Sequence, residues 1–361
     1  MHISESHTKF IRIGVIGVVV IAVVILLFIG APRQGGNGEV KEVALMTATE
    51  KEGVYEPAKE LTNIHGFINT PEGTTLSEFI GKQVILVDFW TYSCINCQRT
   101  LPYINDWWDT YKDKGLVILG VHTPEFTFEE KLANVQVAVN KYKIGYPVFL
   151  DNDYATWNAY DNHFWPRKYL IDIDGYIVYD HIGEGGYEET EMKIQELLAE
   201  RAERLGLEMD ANVAIETPLG VDVVDSSQVG SPEVYFGGSR NEYLGNGISG
   251  KLGIQTFTAP QTSVLNILYL QGSWNITDEY AENKSTEAKI IFKYKAKKVH
   301  FVGSSQDGVH LRILQDGKEV NQIDVQVDDL YTLINDDSYG EHILEIIVED
   351  PGLNAFTFTF G

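Results

Sequence analysis

Cys94 and Cys97 are the only cysteines in this 361-residue chain, and two residues separate them in the stretch VDFWTYSCINCQRTLPYIND. As a structural staple the pair is poor, because closing so short a loop constrains the unfolded chain by only roughly 2 kcal/mol before strain. A structural zinc needs four Cys or His ligands, and neither a second Cys pair nor an H-x3-5-H follows. Haem attachment needs His directly after the second Cys, where Gln98 stands. Thiol–disulfide exchange is the favoured chemistry, with a structural or accidental pair as its alternative.

Exchange needs an exposed attacking sulfur and a sheltered resolving one, so the flanking elements matter. Residues 83 to 90, QVILVDFW, are a β-rich apolar run holding one carboxylate, Asp88, with Gly81 before and Ser93 after, and are predicted to form a buried central strand. Leu101, Ile104, Trp108 and Tyr111 recur at helical spacing and Gly115 ends the segment, which predicts an amphipathic helix over 95–113, kinked at Pro102. Cys94 then stands at a helix N-terminus, where free N–H groups and the helix dipole favour a thiolate. Cys97, one turn inside, is expected to be the more buried.

These residues resemble the active-site strand and turn of thioredoxin-fold proteins. The likeness continues through LPYINDWWDTYKDKGLVILGVHTPEF, YPVFLDNDYATWNAY and FWPRKYLID, and is closest to the extracytoplasmic, TlpA-like part of DipZ-type thiol:disulfide interchange proteins. It runs from about residue 58 to the terminal AFTFTFG, which is similar to the domain that follows thioredoxin in those chains. The resemblance implies that Cys94 is the nucleophile, Cys97 the resolving thiol, Asp88 the buried carboxylate beneath them, and Pro166 a cis-proline facing the pair. An Asp88 desolvated in an apolar strand could take the Cys97 proton through water. The plainer alternative is a buried, hydrogen-bonded aspartate near a strand end. A cis Trp165–Pro166 bond would hold backbone where a substrate peptide can add as a strand. Ile95-Asn96 replaces the Gly-Pro of ordinary thioredoxins, and Tyr92-Ser93 the usual residues before the motif, which leaves the redox potential open.

Residues 13–31 are an uncharged apolar run of about 19 residues, long enough to cross a hydrocarbon core of about 30 Å as a helix. Lys9 and Arg12 before it place residues 1–12 in the cytoplasm and the rest outside, as a single-pass anchor. A cleaved signal peptide is the competing reading, but the run is long and no A-x-A follows. No cysteine follows the run closely enough for a lipid anchor. Residues 32–57 read as a flexible stalk, polar and Gly-rich or charged. The catalytic domain is expected over 58–206, as an α/β thioredoxin fold with an extra helix near 127–143 of the TlpA-like kind. LIDIDGYIVYD predicts a hairpin at its D-G turn. A linker at 207–230 leads to short β runs over 231–361, read as an all-β sandwich. The family resemblance implies a jelly-roll domain similar to carbohydrate-binding modules, in which Trp274, Tyr280 and Tyr294 could form a sugar platform, against the plainer reading of core or ordinary surface aromatics.

A formal net charge of −24 argues against nucleic acid as a partner. Asp151, Asn152 and Asp153 lack the glycine and glutamate of a calcium loop and read as a turn and helix cap. No metal is expected, and no cofactor beyond the Cys94–Cys97 disulfide. The leading function is a membrane-anchored extracytoplasmic thiol-disulfide oxidoreductase that reduces disulfide-bearing proteins, its electrons coming from a CcdA-like membrane partner because this chain has one span. The alternative is a surface protein whose β domain binds glycan or protein, with an auxiliary redox pair.

Overall fold

The structure, a computed structural model, describes residues 46–208 and 213–361. The anchor at 13–31 and the first part of the stalk therefore lie outside the described residues. Among the described residues no helix is long and apolar enough to cross a membrane. Residues 46–361 form one compact unit.

Its first half contains α1 (Ala48–Lys51), β1 (Glu56–Pro57), β2 (Gly66–Ile68), β3 (Val84–Trp90), α2 (Ile95–Tyr111), β4 (Leu116–His122), a 3-10 turn (Thr127–Glu130), α3 (Leu132–Lys141), β5 (Val148–Leu150), α4 (Ala155–Ala159), β6 (Arg167–Ile171), β7 (Tyr176–Ile182) and α5 (Tyr187–Leu205). The sheet order is β1-β7-β6-β3-β4-β5-β2. β3 runs parallel to β4, and β6 and β7 return antiparallel. This is the thioredoxin arrangement. Every residue of β3 is buried, because both faces of the strand are covered. By the two-residue alternation Leu86, Asp88 and Trp90 share one face. Leu86 and Trp90 pack there with Cys97, Leu101 and Ile104 of α2 and with α5. Ile85, Val87 and Phe89 face Trp157 and Tyr160 on the other side. Gly175 turns the β6–β7 hairpin at φ +88°, a conformation open to glycine at no steric cost. Asp151 caps α4 by accepting from the N–H groups of Thr156 and Trp157, both at 2.9 Å. The helix α2 runs through Pro102 without interruption.

The end of the expected stalk is not free. Thr47 and Glu50 form a capping box that starts α1, and β1 pairs with β7. The Lys51 ammonium lies 2.6, 2.9 and 2.6 Å from Asp172, Asp174 and Glu200, carboxylates that would otherwise crowd one another. Burial opposes its charge, but the three carboxylates outweigh it and hold its pKa above the ordinary lysine range. Composition alone hid this, because one buried lysine in a polar stretch carries no periodic signal.

The second half contains β8 (Val234–Tyr235), β9 (Gly253–Phe257), β10 (Leu268–Ile276), β11 (Ala281–Asn283), β12 (Ala288–Ser304), β13 (Val309–Gln315), β14 (Lys318–Val325), β15 (Asp329–Val348) and β16 (Asn354–Phe360). These strands are joined in one antiparallel nine-stranded sheet. The N-terminal half of β12 pairs with β10 and its C-terminal half with β16, while β10 reaches β16 through β11. The circuit encloses a core that includes Phe236, Phe292, Phe301 and Phe358.

This closure corrects the sugar platform. Trp274 and Tyr294 are each 0% exposed, pointing inward from β10 and β12. Their polar tips are bonded internally: Trp274 Nε1 donates to the Gln271 carbonyl at 2.9 Å, and the Tyr294 hydroxyl accepts from Gln315 at 2.9 Å. Tyr280 packs against Phe356, ring to ring at 5.0 Å. Phe356 in turn meets Phe126 at 5.0 Å and Phe128 at 4.9 Å, so the β domain closes over the insert that follows β4.

Candidate active site

Cys94 caps α2 with its own sulfur, Sγ accepting the Cys97 backbone N–H at 3.3 Å. The free N–H groups of the first helical turn thus converge on the Cys94 sulfur. Cys94 is half-buried and Cys97 is 1% exposed, and both are free thiols. Burial, then the neighbouring Cys94 and the Asp88 charge, push the Cys97 thiol well up. The two sulfurs are thus unequal because one ends a helix and the other sits in its first turn.

Asp88 is fully buried beneath them, and desolvation pushes its carboxyl up to about 6 against the pull of Lys168. Lys168 is its cross-strand neighbour on β6. Burial lowers the lysine's pKa despite that carboxylate, and its ammonium donates to the Gly183 carbonyl at 3.1 Å. On both partners desolvation outweighs mutual attraction.

The Trp165–Pro166 peptide bond is cis. The Trp165 carbonyl lies 3.9 Å from Cys94 Sγ, and the indole N–H donates to the Thr123 carbonyl at 3.1 Å. The Trp165 ring leans on Trp157 at 4.2 Å, and Phe164 beside it is 47% exposed. Cys94, Cys97, Asp88, Trp165 and Pro166 therefore converge on one place, and Trp274, Tyr280 and Tyr294 do not join them.

Three buried polar residues at this site were missed from the sequence. Lys168 interrupts an apolar strand two residues after Pro166, a signal open to notice. His122 lies under Thr91 with its imidazole stacked on Tyr92 at 5.7 Å, and burial lowers it to about 3. Glu129 is 0% exposed and reaches the loop before Cys94, yet nothing in FTFEEK separates it from Glu130.

Fold and site together define a thioredoxin-like protein with a Cys-x-x-Cys pair at a helix N-terminus. Residues 57–180 match the AhpC/TSA family, and residues 231–361 match the family described as thioredoxin like C-terminal domain. The chain is similar to Protein DipZ of Mycobacterium tuberculosis and of Mycobacterium bovis, 35% identical over 306 residues, which cover 84% of this chain and 43% of either relative. It therefore spans less than half the length of those relatives. Thiol-disulfide oxidoreductase YkuV of Bacillus subtilis is 28% identical over 40% of this chain and 96% of its own length. ResA of Bacillus thuringiensis, also a thiol-disulfide oxidoreductase, is 33% identical over 32% of this chain and 64% of its own. Among solved structures, a thioredoxin-like protein in its oxidized form aligns with TM-score 0.38 and 28% identity over 41% of this chain and 97% of that one.

Proposed function

We propose that this chain is a membrane-anchored thiol-disulfide oxidoreductase that reduces protein disulfides outside the cytoplasm. The observation that carries the reading is the pairing of a helix-capping, accessible Cys94 with a buried Cys97 above a carboxyl poised at about 6. The Cys94 thiolate attacks a substrate disulfide, forming a mixed disulfide and releasing one substrate thiolate. Asp88 then accepts the Cys97 proton, and the Cys97 thiolate attacks Cys94 Sγ. That second attack expels the other substrate sulfur and leaves Cys94–Cys97 as the disulfide, so two electrons pass to the substrate. Trp165 and Pro166 present the backbone along which a substrate segment can lie, beside the exposed Phe164.

The apolar run at 13–31 is the proposed anchor, with residues 1–12 cytoplasmic. A CcdA-like membrane protein is the proposed source of electrons, because re-reduction of a pair held near a bilayer calls for a thiol donor within it. The test is insulin reduction by the full chain in detergent, with dithiothreitol as the thiol reductant that regenerates the Cys94–Cys97 dithiol. Turnover with wild type and none with Cys94→Ser supports the reading. Inactive wild type with intact thiols overturns it. Protease added to spheroplasts should digest the chain beyond residue 33; a mature protein that begins near residue 32 and washes off membranes sinks the anchor.

A further inference from the structure

Glu129 is a charged side chain with no part in the exchange steps above. It lies in the 3-10 turn after β4, wholly buried, and one carboxylate there serves two backbone segments. One oxygen accepts from the backbone N–H of Ser93 at 3.1 Å and from the Ser93 hydroxyl at 2.7 Å. The other accepts from the N–H groups of Glu125 at 2.7 Å and Phe126 at 3.1 Å. Ser93 directly precedes the nucleophile, and Phe126 is wedged against Phe356 of the β domain. Glu125 receives Arg240 of that domain at 2.8 Å. The carboxylate thus ties the redox loop to an insert that the second domain holds in place.

We propose that Glu129 is a positioning residue whose buried negative charge, fixed one residue from Cys94, disfavours the Cys94 thiolate and so keeps the redox pair on the reducing side. The proposal rests on the oxidoreductase reading and supplies its direction. A reduced pair whose thiolate is stabilised is a stronger oxidant, and one whose thiolate is opposed by a nearby charge is a stronger reductant. Glu129 itself is wholly buried, so its charge is screened less than one at the surface. Four donors hold the carboxylate in place, so it cannot swing away when the thiolate forms.

Burial pushes Glu129 up to about 7 against these hydrogen bonds, so its charge is present at pH 8 and largely absent at pH 5.5. The groups that face it are Thr91, Glu125, Tyr92, Tyr154 and, through Glu125, Arg240 and Glu233, with His122 behind Thr91 and Tyr92 and lowered by burial to about 3, so neutral here. The Tyr92 and Tyr154 phenols stay neutral across this window, both pushed up by burial.

The test is the equilibrium of the full chain with a glutathione buffer, compared for wild type and Glu129→Gln. Glutamine keeps the shape and one acceptor oxygen but removes the charge. At pH 8 the variant should be more oxidising by about tenfold in the equilibrium constant, or about 30 mV. At pH 5.5 the two should converge. Equal values at pH 8, or a difference that stays the same at both pH values, overturns the proposal, because a packing change would not follow the carboxyl's titration. Should Glu129→Gln fail to fold, Ser93→Ala removes one donor to the carboxylate while leaving the charge. The pH at which its potential departs from the acid limb should move upward, and an unmoved profile overturns the proposal equally. A wild type that never equilibrates with glutathione indicts the oxidoreductase reading instead, so the two failures are distinguishable.

Discussion

Replacing Asp88 by asparagine should make the reduced protein more stable and a poorer catalyst, and the structure sets the size and pH of the first effect. Desolvation moves the carboxyl from 3.8 to about 6 in the fold, a change that already contains the attraction of Lys168. At 1.36 kcal/mol per pH unit, ionised Asp88 costs the folded state about 3 kcal/mol. The pKa is raised on folding, so the favourable contribution of the protonated acid is fully present below about pH 4 and is lost as pH rises through about 6. Asparagine has the same shape and nothing to ionise. Denaturant unfolding of the reduced protein, followed from pH 4 to pH 8, should show the variant and wild type together at the acid end. At pH 8 the variant should lead by about 3 kcal/mol, a clear rise in midpoint at unchanged slope. In single-turnover reduction of a disulfide substrate, the first attack by Cys94 should be unchanged and the resolving step slowed by about 100-fold or more, the usual worth of a positioned proton acceptor. A stability difference that does not vary with pH, or a wild type that is the more stable at pH 8, would refute the electrostatic argument. Unchanged resolution would return Asp88 to a structural role.

Iodoacetamide near neutral pH should modify Cys94 far faster than Cys97, as read by peptide mass, and Cys97→Ser should trap substrates as mixed disulfides; equal labelling refutes the assigned roles. Phe356→Ala should lower the unfolding free energy by about 3–5 kcal/mol, because three aromatic neighbours lose their partner. An unchanged midpoint would mean that the two halves are not packed as described. Lys51→Met leaves Asp172, Asp174 and Glu200 without their ammonium and should cost about 3 kcal/mol while opening residues 47–57 to limited proteolysis. Resistance equal to wild type would count against the docked segment.

Much of this protein is set by short-range pattern. The spacing of Cys94 and Cys97, the apolar run of β3, the helical repeat after it and the D-G turn are local features, and local features fix strand, helix and hairpin through backbone geometry alone. They also fix which sulfur ends the helix and which lies a turn inside, since that follows from position in α2. Alternation along β3 puts Asp88 on the face of Leu86 and Trp90, which the structure turns toward Cys97. Which side chains meet across the chain is a different matter. Lys168 opposite Asp88, Glu129 beneath Ser93 and Lys51 among three carboxylates join residues distant in sequence, and each needed the finished fold to show that its charge is buried. Trp274 and Tyr294 read equally as core or surface aromatics as letters, and only the closing of β12 onto both β10 and β16 shows that they turn inward. The physical reason is common to all of these: burial is a property of the whole assembly, and a charge or an aromatic ring acquires its chemistry from what the rest of the chain excludes water from.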